Sequence, residues 1–468
     1  MAKRALCWLR RDLRLTDHAP LALACQEADE VAVAFVFDSQ ILGELKDRDD
    51  RRVTFIHRSL EELDAKLRRL GSRLIVLHGD PVVEIPQLAK ELGADLVVAG
   101  RDYEPYAKTR DSAVEALVPR FELVKDHVIF EGDEIVSQSG GHFRVYSPYR
   151  RAWDAAFVPG MASAFAADLT KMVPESALGG VGVDWSLEQL GFEASDLWLD
   201  AGEGAALARL DAFGAKIDAY GEARDQFGVD GTSGMSVHLR FGTISVRACV
   251  RQALQAGSEG GAKWLSELIW REFYQMILDR YPRVTASTFN PVYDKLEWPG
   301  SDDHFEAWAN GMTGYPVVDA AMRCLKATGW MHNRLRMVVA SFLTKDLLVD
   351  YRRGEAHFAR YLLDFDLAQN NGGWQWAAST GCDPQPYFRI FNPLLQSRRF
   401  DPGAGFIRRW CPELSGFDDD RIHWPHEATL LEQVAADCDL GSDYPHPIVN
   451  HSEQRDRAVQ LLESAARA

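Results

Sequence analysis

The chain has 468 residues, of which 46% are apolar and 26% charged, and a formal net charge of −17. Its length exceeds what one hydrophobic core serves, so two domains are expected, and no apolar run approaches the about 20 residues of a bilayer span, which predicts a cytoplasmic protein without a membrane partner. The seven cysteines form no Cys-x-x-Cys pair and no Cys/His cluster, which argues against a disulfide framework or a structural zinc site and predicts reduced, buried thiols.

From Ala5 to about Val128, short apolar, largely β-branched runs (Ala5 to Leu9, Val31 to Phe37, Leu74 to Leu77, Leu96 to Ala99) alternate with amphipathic stretches at Arg58 to Leu70 and Val82 to Leu92. That alternation predicts a Rossmann-like α/β domain over residues 1–130, a parallel sheet with helices on both faces. No G-x-G-x-x-G follows these strands, so a dinucleotide, if bound, is expected elsewhere. Residues 131–204 read as an interdomain linker, because Val173 to Gly204 is rich in Gly, Pro, Ser and acidic side chains, with Gly179-Gly180 and Gly202-Glu203-Gly204 as breakers. Residues 205–468 then change to helical periodicity rich in aromatics. Helices are expected at Ala205 to Tyr220, Ile244 to Gln255, Trp264 to Asp279, Pro316 to Thr328 and Arg334 to Asp350. The fold class is therefore α/β followed by all-α.

A net charge of −17 opposes duplex binding, which rests on Lys and Arg neutralising phosphates, so any DNA-binding face must be local. Arg389, Arg398, Arg399, Arg408 and Arg409 supply such a face in one Pro/Gly-broken stretch, although the same run also fits a solvated surface.

Four segments of the helical part place polar residues and tryptophans where periodicity alone would place aliphatics. The first, Asp230-Gly-Thr-Ser-Gly-Met-Ser236, reads as a hydroxyl-bearing loop opening a helix, suited to a phosphate or to plain capping. In the second, Trp264-Leu-Ser-Glu-Leu-Ile-Trp-Arg-Glu-Phe273, one face carries Trp264, Glu267 and Trp270; such a stripe is ordinarily core, but an embedded carboxylate is costly there. The third, Thr328-Gly-Trp-Met-His-Asn-Arg-Leu-Arg-Met337, gathers amide, guanidinium and thioether groups, and its two arginines suggest ion pairing with Asp364 and Asp366. The fourth, Asp364-Phe-Asp-Leu-Ala-Gln-Asn-Asn-Gly-Gly-Trp-Gln-Trp376, joins that acid pair to an Asn-Asn-Gly-Gly run; glycine lets backbone approach a flat ring, and tryptophan can stack or donate an electron.

Together these segments resemble the flavin-binding domain of the photolyase/cryptochrome family. The resemblance extends to Trp8-Leu-Arg-Arg-Asp-Leu-Arg-Leu-Thr-Asp17, Gly314-Tyr-Pro-Val-Val-Asp-Ala-Ala-Met322 and Tyr387-Phe-Arg-Ile-Phe-Asn-Pro393, so it spans essentially the whole chain. Within the family the chain resembles class I enzymes that repair cyclobutane pyrimidine dimers in DNA by electron transfer from excited reduced FAD. The resemblance implies that Tyr220, Thr232, Ser233 and Ser236, with the intervening Gly234 and Met235, hold the FAD phosphates and ribose. It places Trp264, Arg271, Asn333, Arg336, Asp364, Asp366 and Asn370 around flavin and adenine, with Asn370 beside flavin N5. Glu267, Trp270, Asn333, Met337 and Trp376 match the pocket for a flipped-out lesion, and Arg224, Arg334 and Gln396 match DNA contacts. The family's electron relay matches Trp374 and Trp298 at its ends, but its middle position is Tyr351 here, and oxidising a phenol requires loss of its proton.

An antenna chromophore is also implied. Asp102-Tyr-Glu-Pro-Tyr106 and Phe37-Asp-Ser-Gln-Ile-Leu42 resemble members that bind 8-hydroxy-5-deazaflavin more than those that bind methenyltetrahydrofolate, and Asp102 and Glu104 read either as its contacts or as a solvated loop. A monomer acting on damaged DNA is expected. The rival readings are a cryptochrome-type blue-light receptor, a (6-4) photolyase and a helical nucleic-acid-binding module. Asn370 and the short C-terminal stretch after Pro393 oppose the first, the single histidine of Met331-His332-Asn333 opposes the second, and Asn370 with its acid pair is left unexplained by the third.

Overall fold

A computed structural model describes residues 2–137 and 140–467. By backbone proximity the chain forms two compact units, residues 1–218 with 233–282 and residues 219–232 with 283–468.

The first unit is built on five strands, β1 (Ala2–Leu9), β2 (Ala28–Asp38), β3 (Leu74–Gly79), β4 (Leu96–Gly100) and β5 (Phe121–Val124), all parallel in the order β3-β2-β1-β4-β5. Central β1 puts Leu6 level with Ala32 on one side and Val97 on the other, and Ala5 to Leu9 are all buried. A strand covered on both faces reads as a continuous apolar run, which is why this one is visible in the sequence. Helices α1 (Ala19–Glu27), α2 (Arg51–Arg69), α3 (Pro81–Leu92) and α4 (Pro105–Glu115) complete the α/β layers. Local chemistry sets their ends: Asp80 caps α3, whose first residue is Pro81, and Gly93 closes it in the left-handed region.

The stretch expected to be linker is partly helical. Helix α5 (Tyr146–Ala156) buries Tyr146, Tyr149 and Trp153, and the Tyr149 hydroxyl (3.0 Å) and Trp153 Nε1–H (2.7 Å) both donate to Glu272. After α6 (Glu203–Gly214) come α7 (Ser236–Phe241), α8 (Val246–Ala256) and the 22-residue α9 (Glu259–Arg280). Ala205 to Tyr220 is thus not one helix; α6 stops at Gly214 and short turns follow at 217–219 and 220–223. Segment 233–282 belongs to the sheet's unit through buried charge. Arg247 on α8 donates to Asp17 (3.0 Å) and Asp126 (2.7 Å), while Arg14 reaches both Asp126 oxygens at 2.7 and 2.8 Å.

In the second unit, α10 (Asp302–Asn310), α11 (Pro316–Thr328), α12 (Asn333–Ser341), α13 (Tyr351–Tyr361) and α14 (Leu367–Ala378) pack around Trp308, Leu335, Phe342, Phe358 and Trp374. The helix expected from Arg334 to Asp350 is broken. It ends at Ser341 and widens into a π-turn at Phe342–Asp346, where buried Lys345 donates to the Ala378 carbonyl (3.0 Å) and Ser379 Oγ (2.9 Å), and Leu348 takes φ +53. Then follow α15 (Pro393–Phe400) and, near the end, α16 (His451–Arg467). All seven cysteines are free and buried. Among the described residues no helix is long and apolar enough to cross a membrane.

Candidate flavin and nucleic-acid site

In the second unit, α14 carries the Asn-Asn-Gly-Gly-Trp-Gln-Trp run. Asp366 caps its start, accepting the Gln369 N–H at 3.2 Å. Asn370 is buried, and its Nδ2 donates to the Glu355 carbonyl on α13 at 3.0 Å, which fixes the amide plane and leaves Oδ1 and the second N–H for a ligand. Asn371 donates to Val284 O (3.0 Å) and Glu355 Oε1 (3.1 Å), and Gln375 accepts the Phe289 N–H at 2.7 Å. Burial pushes the Glu355 carboxyl up to about 7, against the Asn371 hydrogen bond that favours its ionised form. These amides lock α14 against rotation, so Trp374 faces the core at 2% exposure while Trp376 stays half-buried.

Across from α14, His332 caps α12 by accepting the Arg334 N–H on Nδ1 at 3.1 Å. Arg336 reaches both Asp364 oxygens at 2.8 and 3.1 Å and donates to the Met331 carbonyl at 2.8 Å. The expected ion pairing with two acids therefore holds only for Arg336 and Asp364. Arg334 pairs instead with Asp225 at 2.9 Å, while Asp366 caps α14. Asn333 is exposed, and its Nδ2 lies 3.8 Å from the sulfur of half-buried Met337. Tyr220 is buried beneath Arg224, whose guanidinium lies 5.4 Å from its ring centroid. Thr232 and Gln396 are half-buried, and Arg389, Arg398, Arg399 and Arg409 are exposed while Arg408 pairs with Asp419 at 2.6 Å.

In the first unit, the Ser233 carbonyl accepts from Arg209 Nε at 3.0 Å, and Ser233 Oγ takes the Met235 N–H at 3.3 Å. Gly234 has φ +62 and lies so close to the Arg209 guanidinium that a Cβ would collide with it. Ser236 is exposed. On α9, Trp264 is buried against Phe213 at 4.7 Å, and Arg271 donates to the His127 carbonyl at 2.6 Å. Glu267 is not sunk in an apolar face; it is half-buried, with Lys263 at 3.9 Å. One neighbour was not foreseen from the sequence. Tyr146 on α5 stacks face to face on Trp270, centroids 3.6 Å apart and planes within 10°, so one indole face is covered and held. The 146, 149, 153 aromatic spacing was the available signal.

The antenna candidates lie outside the carboxyl ends of β1, β2 and β4, where strand order reverses and ligands of such sheets bind. Asp102 and Glu104 are not a free solvated loop: Arg11 bridges them at 3.3 and 2.9 Å, and Arg240 lies 3.7 Å from Glu104. Burial raises the Asp102 carboxyl, but Arg11, His127, Arg10 and Arg110 outweigh it and hold it below the usual carboxylate range. Tyr106 donates to Asp38 at 2.6 Å, and Arg10 and Arg110 lie 4.7 and 4.9 Å from the Trp8 ring centroid.

Residues 5–168 match the family model described as DNA photolyase, and residues 264–464 match the FAD binding domain of DNA photolyase. A deoxyribodipyrimidine photo-lyase from Synechococcus sp. is 40% identical over 470 residues, covering 97% of this chain and 95% of that protein. A bacterial class III photolyase from Agrobacterium tumefaciens has a TM-score of 0.91 at 32% identity, covering 100% of this chain and 98% of its own. An archaeal photolyase from Sulfolobus tokodaii, solved with two FAD molecules, has a TM-score of 0.83 at 30% identity, covering 98% of this chain and 100% of its own. Near-full-length identity of this order, joined to a parallel-sheet unit and a helical unit with the Asn370 amide fixed as described, places the chain in the DNA photolyase family.

Proposed function

We propose that the chain is a light-driven photo-lyase that splits cyclobutane pyrimidine dimers in DNA. The observation that carries this reading is Asn370, whose nitrogen is anchored on the Glu355 carbonyl so that a fixed, neutral amide with its Oδ1 acceptor is available to the cofactor. Bound in its reduced form, FAD supplies the electron that light sends to the dimer and takes it back once the two ring bonds have broken. An acceptor at Asn370 suits a protonated flavin N5 without adding charge. Tyr220, Thr232, Ser233, Gly234, Met235 and Ser236 hold the phosphates and ribose; Trp264, Arg271, Asn333, Arg336, Asp364 and Asp366 hold the rings. Trp270 and Trp376 stack on the extruded lesion, with Asn333 and Met337 lining its pocket, and Glu267 accepts from its imide edge. Arg224, Arg334 and Gln396 contact DNA, and the exposed Arg389, Arg398, Arg399 and Arg409 offset the overall negative charge locally. The test is blue-light treatment of a dimer-bearing oligonucleotide with reduced protein. Dimers should disappear in light and persist in the dark, and (6-4) lesions should persist in both; light-independent loss, or no loss with FAD bound, overturns the reading.

The β1/β2/β4 crevice is read as an 8-hydroxy-5-deazaflavin site contacted by Asp102 and Glu104, in preference to methenyltetrahydrofolate. The supporting feature is Arg11, which holds both carboxylates at the switch point. Reconstituted protein should show deazaflavin fluorescence quenched by transfer to FAD, lost in Glu104→Ala. Stoichiometric binding of a folate or a second FAD in its place overturns it. The active species is a monomer, so light scattering should give a mass near 52.5 kDa.

A further inference from the structure

The relay implied by resemblance runs Trp374, Tyr351, Trp298. In the second unit the aromatic rings in contact with Trp374 are Phe358 at 5.0 Å and Trp308 at 6.0 Å, the latter edge-on at 74°. A phenyl ring is not oxidised by an indole radical cation, whereas a second indole exchanges an electron with it at almost no cost in driving force. Trp308 is fully buried and its Nε1–H donates to the Val339 carbonyl at 3.0 Å, an acceptor whose hydrogen bond strengthens when the indole becomes positive. Tyr351 is placed differently. Among the described residues it joins no aromatic pair; its ring lies 5.1 Å from the Arg352 guanidinium, which has no lone pair to receive a phenol proton. Burial, opposed by Arg352 and helped by Glu355 and Asp350, pushes its phenol up to about 12. Glu355, the nearby carboxyl, already accepts from Asn371.

We infer that the electron replacing the one lost from Trp374 comes from Trp308, bypassing Tyr351 and Trp298. The inference rests on the reading above in one respect, that Trp374 is the first donor to photoexcited oxidised flavin. Trp374 gives one electron to the flavin; the Trp374 radical cation takes one electron from Trp308; no proton moves in either step. The positive charge then leaves across His357, 5.3 Å from Trp308, to Tyr361, 4.8 Å from His357. Tyr361 is half-buried, so its phenol gives its proton to water as it gives up an electron. A soluble thiol returns one hydrogen atom to the tyrosyl radical.

Transient absorption and time-resolved electron paramagnetic resonance of the FAD-loaded protein test this. Trp308→Phe should still form the Trp374 radical, which shows that fold and cofactor are intact, but it should recombine and lower the yield of photoreduced flavin at least tenfold. Tyr351→Phe should stay within twofold of the parent. Tyr361→Phe should remove the tyrosyl signal while the tryptophan radical persists longer. Retained yield in Trp308→Phe, or a tenfold loss in Tyr351→Phe, overturns the inference. Should Trp308→Phe lose FAD, the tyrosyl signal decides: its persistence in Tyr361→Phe and loss in Tyr351→Phe overturns the route. Unchanged photoreduction in Trp374→Phe would instead remove the first-donor reading, a separate failure.

Discussion

Asp126 in the first unit and Asn370 in the second are both buried polar groups, held in opposite ways. Asp126 takes Arg14 on both oxygens, Arg247 at 2.7 Å and the Ala19 N–H at 3.1 Å, so its hydrogen-bonding capacity is closed. Asn370 uses one N–H on one carbonyl and keeps its oxygen and second N–H. A closed ionic network is scaffold, because no valence remains for anything that arrives; a fixed group with hydrogen-bonding capacity to spare is able to take a ligand. Charge buried in quantity therefore marks where the first unit is held together, and under the proposed function an amide with capacity to spare marks where the cofactor is held.

The largest effect should come from opening the closed side. Arg247→Met leaves Asp17 and Asp126 buried with less cation, and breaking such a pair costs about 3–5 kcal/mol. Denaturant titration should show that loss with the FAD content of the folded fraction unchanged; a loss below about 1 kcal/mol would break the comparison. The sign with pH follows from Asp126. Burial raises its carboxyl, but Arg14 and Arg247 outweigh it and hold it well below 3.8. Its stabilisation is thus complete above the unfolded pKa near 3.8 and is lost as pH falls toward the folded value. The parent should weaken in acid along that window, and Asp126→Asn should weaken less steeply, because Asp102 and Glu203 still titrate there.

On the open side, Trp376→Ala removes a stacking surface worth about 1–3 kcal/mol. Affinity for dimer-bearing DNA should fall about ten- to a hundredfold at constant salt, with FAD retained and affinity for undamaged DNA unchanged. Equal affinity for damaged DNA in mutant and parent would remove Trp376 from the clamp. Gly354→Ala should cost about 1–3 kcal/mol in a thermal melt, because a Cβ there would run into the Trp374 six-membered ring and Leu343. The smallest effect sharpens the contrast within the first unit. Glu272 is buried with neutral donors only, the Ile129 N–H, Tyr149 and Trp153, and burial pushes its carboxyl up to about 7. Its contribution is full below the unfolded value near 4.5 and declines as pH rises through about 7. Glu272→Gln should flatten stability over that interval; an unchanged slope would assign the titration to another group.

Strands β1 to β4 are legible in the sequence because each contains a continuous apolar run buried on both faces, β-branched in β2, β3 and β4. Strand β5, Phe121-Glu-Leu-Val124, is four half-exposed edge residues with a charge among them, and no periodicity distinguishes it from a loop. The break at Ser341 is hidden for another reason: apolar spacing continues through Phe342 and Leu343, and the π-turn depends on Lys345 reaching the end of a helix thirty-odd residues away. Helix α5 was masked by its Pro148 and the Gly140-Gly141 ahead of it. Residue types at the candidate site were readable through resemblance, but partners were not. That Arg334 pairs with Asp225, that Gly354 lies under Trp374 and that Tyr146 covers Trp270 are contacts between distant segments, which no local pattern records.

The seven buried, unpaired thiols have a practical consequence. Burial raises Cys25 to about 11 and Cys249 to about 12, so at neutral pH almost none of either is thiolate, the form that reacts with maleimides. A single cysteine introduced at an exposed position such as Arg398 would then be the one fast-reacting thiol in the folded protein. Fluorophores or spin labels could be attached there without first removing the native seven, and mass spectrometry would register one added label per chain.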